Sequence, residues 1–364
     1  MKKLISFSLA LMLLLGVLVV PALAEEARVK KVGVLAMLRI DEAKMQDFLS
    51  ARRIMRELSV KPGGDDNQPG PPPGSDPDEK PDFVPDPERG KTTSYEVIYY
   101  DSLDAMQMAL GAGDIDQMEI YETTAKYICA NNDDLIYLIS DQTDAAPTML
   151  DQLLNSIMVN DFAFMLTEGQ EALRDEFNTA IAAIREDGTM EKLIAEYIDG
   201  VIEGKEIPPI EIAKMDGAET IKVAITGDLP PMDYIAPDGT PAGFNTALLA
   251  EISKRLGRNI EISQVASSAR SSALASGNVD VVFWMRTSSA AMQRMAMSEE
   301  ERQAQREKVN AEMTEEQIAL IDSAGKLTPR EEFLSADMPD GTIITDPYFS
   351  DTLVTVHKKP KAEN

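Results

Sequence analysis

The sequence is poor in the residues that build many metal sites and enzyme sites. Among its 364 residues it has one cysteine, Cys129, and one histidine, His357. A single cysteine excludes an intrachain disulfide, and its apolar helical spacing predicts a small buried hydrophobic residue. A single histidine leaves zinc sites and histidine-based catalytic triads without their usual parts. The sequence also has no evident glycine-rich phosphate loop or nucleophile and base pair. We therefore expect no metal, no cofactor and no catalytic residues.

Positive charge is scarce as well. Lysine and arginine number 35 against 62 acidic residues, which gives a formal net charge of −27. Such an acidic chain repels nucleic acid and anionic lipid, so neither is expected as a partner.

The one long apolar run, Leu4 to Val20, follows Lys2 and Lys3 and precedes Ala22-Leu23-Ala24. This pattern is typical of a cleaved secretory signal, predicted here at 1–24. No cysteine follows the cleavage site, so a lipid anchor is not indicated. We expect a periplasmic or secreted protein.

Residues 221–257 read as a strand, an open loop and a helix. The apolar run Ile221 to Thr226 is followed by Pro230 and Pro231, which cannot continue a strand ladder. An amphipathic helix then ends at Gly257. Because α/β sheets bind small ligands at the carboxyl ends of their strands, this loop is a candidate site.

The pattern L-x-x-G-x-x-D occurs twice, at 110–116 and 274–280. Each copy follows an apparent strand and helix, with glycine ending the helix and aspartate opening the next strand. The strands that open the two halves, at 31–34 and 222–225, also correspond. The repeat predicts an α/β fold of two βαβ lobes that share a cleft.

These residues also carry a family resemblance. The order of apolar strand, G-D-x-P-P-x-x-Y, D-G-x-x-x-G-F, amphipathic helix and R-L-G resembles the opening of the periplasmic solute-binding proteins of the polar amino-acid uptake family, bacterial solute-binding protein family 3. The segment F-A-F-x-x-x-x-G, helix, D-G-T-x-x-K-L is similar to that family's carboxyl terminus. The resemblance covers roughly 29–40, 95–200, 220–287 and 345–358, and it implies the type 2 periplasmic-binding fold with a ligand cleft between two lobes.

The order of these pieces differs from that of the family. The family's ending is reached by Gly200, and its beginning comes only afterwards. We therefore expect a circularly permuted chain, which is tolerated where termini lie close together; two incomplete modules in tandem are the alternative.

The expected units are a signal peptide (1–24), a lobe resembling the family's second lobe (25–165, with a disordered Pro/Gly-rich insertion at 61–90), return helices that pack on the other lobe (166–200), a linker (201–219), and a lobe resembling the family's first lobe (220–364, with a charged helical insertion at 288–340).

The resemblance also implies ligand-binding residues. The family's ligand-lining loop corresponds to Asp228, Leu229 and Met232. After the second repeat the family has a threonine, which Thr287 matches. It then has an arginine that binds the ligand carboxylate. Met292 occupies the position of that arginine in this chain. The candidates for binding the ligand carboxylate are therefore the arginines on either side, Arg286 and Arg294.

In the other lobe the family places an acid for the ligand ammonium group. Tyr121 occupies that position and Glu122 follows it. After the first strand of this lobe the family has a Gly-Thr-Thr helix start, which this chain lacks. Arg39 lies near that position and could replace the missing hydrogen-bond donors. Trp284, the single tryptophan, could form a cleft wall for stacking or cation–π contact, or pack in the core.

By resemblance, then, the chain is a monomeric receptor, not an enzyme. We expect it to capture an amino acid or similar small polar solute by lobe closure and to deliver it to the membrane subunits of an ABC importer. The alternatives are a sensor or interaction protein on the same scaffold and, third, a dehydratase-like enzyme.

Overall fold

The computed structural model describes residues 28–36, 93–138, 159–287, 297–311 and 339–359, together with residues 46, 49 and 318. The signal predicted at 1–24 and the insertion predicted at 61–90 lie outside the described residues. So do most of the insertion predicted at 288–340 and nearly all of a helix that the apolar spacing predicts at 41–58.

The first part of the described chain forms one half of a mixed sheet with two helices, which we call the N-lobe. Its elements are β1 (Arg28–Leu35), β2 (Thr93–Tyr100), α1 (Leu103–Ala112), β3 (Gln117–Tyr121), α2 (Glu122–Ala130) and β4 (Leu135–Leu138). β1 lies between β2 and β3 and is parallel to both. The second half of β1 is buried without alternation, from Val32 to Leu35, as expected for a strand inside a parallel sheet, whereas its first half carries Arg28, Lys30 and Lys31.

The other half of the sheet, with its helices, is the C-lobe. Its elements are β5 (Val159–Thr167), α3 (Glu171–Glu186), α4 (Thr189–Ile194), β6 (Thr220–Ile225), β7 (Asp228–Leu229), β8 (Asp233–Ile235), β9 (Pro241–Ala242), α5 (Phe244–Leu256), β10 (Asn259–Gln264), α6 (Arg270–Ala275), β11 (Val281–Thr287), α7 (Glu299–Ala311) and β12 (Thr342–Ile344). α4 continues through a π-helical turn and a last turn to Ile202. β6 lies between β10 and β11 and is parallel to both, while β5 is antiparallel to β11 and β12.

One strand, β13 (Phe349–Lys358), crosses from the C-lobe to the N-lobe. Its residues Phe349–Thr352 pair with β5, and from Leu353 onward it pairs with β3 and β4. The strand order is therefore β10-β6-β11-β5-β13-β3-β1-β2, with β12 beside β5 and β4 beside β13. A strand shared by two half-sheets is placed where a hinge between lobes would be.

The two repeated aspartates make the same pair of hydrogen bonds, each within its own lobe. The Asp116 carboxylate accepts a hydrogen bond from the N–H of Lys31 at 2.8 Å, and the Asp116 N–H donates to the Lys31 carbonyl at 2.8 Å. Asp280 makes the same two bonds with Lys222, also at 2.8 Å each. The sequence repeat thus corresponds to a structural repeat, with each aspartate holding the opening strand of its own lobe.

Three helices of the C-lobe, α3, α4 and α5, pack together, whereas Leu274 of α6 lies in a separate cluster with Met165 and Val282 of the sheet. α3 and α4 pack against α5, and the last turn of α4 contacts α2 of the N-lobe. The four-residue spacing of Phe177 and Ile181, and of Leu248 and Ile252, predicts an apolar face on each of α3 and α5, and all four side chains are buried.

Two smaller predictions have different outcomes. The pattern of Ser298 followed three residues later by Glu301 predicts a helix start, and it is confirmed. The Ser298 hydroxyl accepts from the N–H of Glu301 at 3.2 Å, and the Glu301 carboxylate accepts from the N–H of Ser298 at 2.8 Å. Cys129 is half-buried rather than buried, because it lies on the flank of α2 and packs against the core from its edge.

Candidate functional site

A cavity lies between the two lobes, and residues of both line it. They are Tyr121 and Thr124 of the N-lobe together with Phe162, Thr226, Leu229, Met232, Asp233, Asn245, Arg270, Phe283 and Trp284 of the C-lobe. The cavity volume is about 20 Å³, which is room for about one water molecule. A solute can therefore enter this space only if the lobes separate or the side chains rearrange.

The N-lobe wall is built where β3 passes directly into α2. Tyr121 ends β3 and Thr124 lies in the first turn of α2, and both are buried. The Tyr121 ring meets Phe162 of β5 edge-on, with ring centroids 4.8 Å apart. The two lobes therefore touch through aromatic side chains at the bottom of the cleft.

Arg270 and Trp284 form a charged part of the C-lobe wall. Arg270 begins α6 and is only 3 % exposed, and its Nη1 donates to the carbonyl of Phe283 at 2.8 Å. Its guanidinium lies 5.2 Å from the centre of the Trp284 ring. Trp284 itself is 3 % exposed on β11 and belongs to a buried cluster, so it serves both as cavity wall and as core. The stacking and the carbonyl bond fix the arginine head group at the cavity.

A buried carboxylate, Asp233, organises the loop on the same side. Its Oδ1 accepts from the Thr226 hydroxyl at 2.9 Å and the Gly227 N–H at 2.6 Å, and its Oδ2 accepts from the Asn245 side chain at 3.1 Å. Tyr348, from the crossing segment before β13, donates to Asn245 Oδ1 at 3.2 Å. Burial raises the pKa of Asp233, and the hydrogen bonds and Arg270 oppose that rise. This network links the cleft loop to the crossing strand.

The loop that carries Leu229 and Met232 is fastened to the start of α5. The N–H groups of Phe244 and Asn245 donate to the carbonyls of Pro231 and Met232 at 3.1 and 2.8 Å. Gly243, at φ 95°, sits so close that a Cβ there would lie 2.7 Å from both of these carbonyl oxygens. The second glycine of the D-G-x-x-x-G-F motif is therefore a steric requirement of this loop.

A second buried carboxylate lies where β13 leaves the C-lobe. Asp351 is 6 % exposed and accepts hydrogen bonds from the N–H of Thr123 at 3.3 Å, from the Thr123 hydroxyl, and from the N–H of Thr352 at 2.7 Å. Burial, with the Glu122 carboxylate nearby, raises the pKa of Asp351 to about 6. Since Thr123 lies between Tyr121 and Thr124, Asp351 connects the crossing strand to the N-lobe wall.

Four of the predicted ligand-binding residues meet at the cavity, namely Leu229, Met232, Trp284 and Tyr121. Asp228 is half-buried at the start of β7 beside it, and burial raises the pKa of its carboxyl group.

Of the other predicted residues, Glu122 is the one whose described side chain does not line the cavity. Glu122 begins α2 and forms an ion pair with Lys126 at 2.8 Å. The backbones of Arg286 and Thr287 end β11, paired with Asp161 and Asn160. The remaining two predicted residues, Arg39 and Arg294, lie outside the described residues.

The sequence reasoning missed the polar residues Asp233, Asn245 and Arg270. One signal pointed to Arg270. It precedes Leu274 by four positions, so the two share a helix face, and Leu274 is a core residue of the repeat. A charged residue on a core-facing side of a helix needs a buried partner, and the partners of Arg270 include a carbonyl and an aromatic ring.

Within the described part of the chain, none of the helices has the length and apolar character needed to cross a membrane. Among these same residues, no three or more His, Cys, Asp or Glu side chains are grouped so as to hold a metal ion.

Residues 221–330 match the profile of the bacterial extracellular solute-binding proteins, family 3. The match contains most of the cavity lining and confirms the resemblance predicted for this part of the chain. The members of this family are binding proteins and not enzymes. A comparison with curated protein sequences finds no match.

Solved structures similar to this chain are also solute-binding proteins. One is the zinc-bound ligand-binding component of an ABC-type import system from Staphylococcus aureus, with 11 % identity, 91 % of this chain and 66 % of that chain covered, and a TM-score of 0.32. Another is a phosphate-binding protein of a phosphate ABC transporter from Streptococcus pneumoniae TIGR4, with 12 % identity, 91 % and 89 % covered and a TM-score of 0.33. A third is an ancestral arginine-binding protein bound to arginine, with 12 % identity, 92 % and 86 % covered and a TM-score of 0.33.

The matched part is less than two thirds of the length of the Staphylococcus protein. Because the three TM-scores are below 0.5, the family resemblance rests on the sequence match and on the α/β architecture with two half-sheets.

Proposed function

We propose that the protein is an extracytoplasmic solute-binding receptor. In this proposal it captures a small polar solute between its lobes and delivers it to the membrane subunits of an ABC importer. An amino acid is the first candidate for the solute, because the sequence resemblance is to the polar amino-acid uptake family.

The observation that supports this proposal most strongly is the position of the cavity. Its lining comes from both half-sheets, and the larger share lies within the stretch that matches solute-binding proteins. Closure of two lobes around a solute excludes water, which strengthens the polar contacts made inside.

The domain plan expected from the sequence is retained as part of the proposal, with units at 1–24, 25–165, 166–200, 201–219 and 220–364. Circular permutation is supported by the closeness of two strands, β1 and β13, which lie near the two ends of the described chain. Gly33 of β1 and Val356 of β13 both pair with Met118 of β3. With neighbouring strands about 4.8 Å apart, the two positions lie within about 10 Å of each other. A signal at 1–24 and a monomeric state complete the proposal.

The test is native mass spectrometry of the purified protein, followed by thermal unfolding with pools of amino acids, short peptides and other small polar solutes. We expect a small molecule to co-purify or one pool to raise the melting temperature, because a ligand that binds only the folded state stabilises it. The variant Arg255→Gln serves as a control for changes in stability alone. It removes the ion pairs of Arg255 with Asp187 and Glu251, which lie outside the cavity, so it should leave ligand binding unchanged.

The alternatives predict other results. No stabilisation by any solute would overturn the receptor proposal and favour a sensor or interaction protein that uses the two insertions. Turnover of a prephenate-like substrate would favour a dehydratase-like enzyme.

A further inference from the structure

The crossing strand β13 passes from one lobe to the other at an identifiable point. Thr352 pairs with Val159 of β5 in the C-lobe, and the next residue, Leu353, pairs with Tyr121 of β3 in the N-lobe. Within the described part of the chain, β13 is the strand that belongs to both half-sheets. Separation of the lobes must therefore bend or rotate β13 near this point, because ladder hydrogen bonds hold it on either side.

The side chain of Asp351 bridges the crossing point. By its backbone Asp351 belongs to the C-lobe, where it pairs with Asn160 of β5. Its Oδ2 accepts hydrogen bonds from the N–H of Thr123, at 3.3 Å, and from the Thr123 hydroxyl, and Thr123 belongs to α2 of the N-lobe. Asp351 is 6 % and Thr123 9 % exposed. The bonds between these two side chains therefore join one lobe to the other.

These bonds also serve the N-terminus of α2. The first N–H groups of a helix have no partner within the helix, and a side chain just before the helix usually accepts from one of them. Tyr121 holds that position in α2, and its side chain makes no capping hydrogen bond. Asp351 supplies the acceptor from a point 228 positions away. A separation of the lobes about the crossing point would draw α2 away from this acceptor and expose Asp351 to water.

Charged groups face Asp351 from two elements. Glu122 faces it from α2 and is itself paired with Lys126 at 2.8 Å. From β5 the residue beside Asp351 is the uncharged Asn160, and the next residue of that strand, Asp161, bonds at 2.7 Å to the residue that precedes Asp351. The charge that acts on Asp351 from the N-lobe is thus negative and partly offset by Lys126.

The ionised form of Asp351 is disfavoured while the lobes are closed. Burial first, and Glu122 after it, raise the pKa of Asp351 from 3.8 to about 6, although the hydrogen bonds from Thr123 and Thr352 lower it. A carboxyl group that is exposed to water returns to its ordinary pKa. The ionised form therefore gains more from a separation of the lobes than the neutral form does.

Resting on the separation of the lobes in the receptor function proposed above, we propose that Asp351 and Thr123 form a proton-sensitive latch between the lobes. Neutral Asp351 stays buried and holds the lobes closed, whereas ionised Asp351 favours their separation. The proton shifts the equilibrium because it binds the closed form more tightly than the open form. Since a solute enters and leaves through the open form, its exchange is slow in acid and faster at neutral pH.

The size of the effect follows from the two pKa values. A group that titrates at about 6 in the closed form and at about 4 in the open form raises the ratio of open to closed molecules about tenfold between pH 5 and pH 7.5. A purely structural role for Asp351 would give no such dependence on pH.

The ratio is measured on the ligand-free protein by double electron–electron resonance, which gives the distribution of distances between two spin labels. One label is placed on α1 at Met108→Cys, a position that is 74 % exposed. The other is placed on β10, at the far edge of the C-lobe sheet, at the exposed position Glu261→Cys. The single cysteine is removed as Cys129→Ala. We expect the population at the longer distance to grow relative to the shorter one by about tenfold from pH 5 to pH 7.5.

Three variants identify the group responsible. Asp351→Asn cannot ionise and should show the same ratio at both pH values. Thr123→Val should raise the ratio above that of the wild type at pH 7.5, because the ionised carboxylate then lacks one donor in the closed form alone. Asp228→Asn tests a second carboxylate at the cleft, whose pKa is raised by burial and then by Asp233 and Asp104. This variant should keep the larger part of the wild-type dependence on pH.

The outcomes separate the latch from the receptor function. The latch is wrong if the ratio does not rise with pH in the wild type, if the closed form alone is seen at both pH values, or if the rise persists in Asp351→Asn. Solute binding would still support the receptor in each of these cases. A rise that Asp351→Asn abolishes supports the latch even where no solute binds, and then the receptor function is the proposal that fails. If Asp351→Asn does not fold, the wild-type profile and Thr123→Val decide the question.

Discussion

At the scale of single residues, the buried carboxylate of Asp351 makes the stability of the protein depend on pH. Its pKa is raised from the ordinary value of 3.8 to about 6, chiefly by burial and further by Glu122, which is itself paired with Lys126. Because the folded state holds the proton more tightly than the unfolded state, this group stabilises the fold below about pH 4. That contribution is lost as the pH rises through about 6.

The prediction is tested with Asp351→Asn, which cannot ionise but keeps an oxygen to accept from Thr123. Urea unfolding of both proteins from pH 4 to pH 7 should show the wild type losing about 2–3 kcal/mol relative to the variant. The pairwise comparison cancels the other titrating groups. A difference in unfolding free energy that stays constant over this range would show that Asp351 is not the group responsible.

At the scale of elements, Gly243 shows how one backbone position shapes the cleft loop. A Cβ at Gly243 would lie 2.7 Å from two backbone carbonyl oxygens, and backbone atoms cannot move aside as the end of a flexible side chain can. Gly277 also has a positive φ, of 71°, but no atom lies within 4 Å of its would-be Cβ.

We therefore expect Gly243→Ala to cost about 3 kcal/mol or more, from overlap and backbone strain together. The matched variant Gly277→Ala should cost about 1–2 kcal/mol, from the left-handed backbone alone. Chemical unfolding measures both. Equal losses would mean that the loop around Met232 can shift to accept a side chain.

Elements of this kind could be predicted from the sequence because their signals are local. The strand β6, the helix α5 ending at Gly257 and the two repeated aspartates all follow from short patterns of apolar residues, glycine and aspartate. Strand ends were less well predicted. The apolar runs predict strands from Val29 to Met37 and from Leu353 to Val356, whereas β1 ends at Leu35 and β13 is longer at both ends.

The site could be predicted only in part, because it depends on contacts between distant parts of the chain. Tyr121 and Trp284 were expected at the cleft and line the cavity. Asp233 was not expected, since its partners include Asn245, twelve positions away, and through it Tyr348, a further 103 positions away. Burial and hydrogen-bond partners of this range are set by tertiary packing, which residue patterns do not encode.

At the scale of the whole molecule, the lobes share one crossing strand and enclose a cavity too small for a solute. The central claim is that the lobes separate, admit a solute and close on it. Trp284 is the single tryptophan of the chain and lies in the cavity wall, so its fluorescence reports on this site alone.

The most direct measurement is therefore a titration of Trp284 emission with the solute that co-purifies or gives the largest thermal shift, run beside a calorimetric titration. Emission should change saturably, with one solute per chain and the same affinity by both methods. A solute that binds by calorimetry and leaves Trp284 emission unchanged would contradict capture between the lobes.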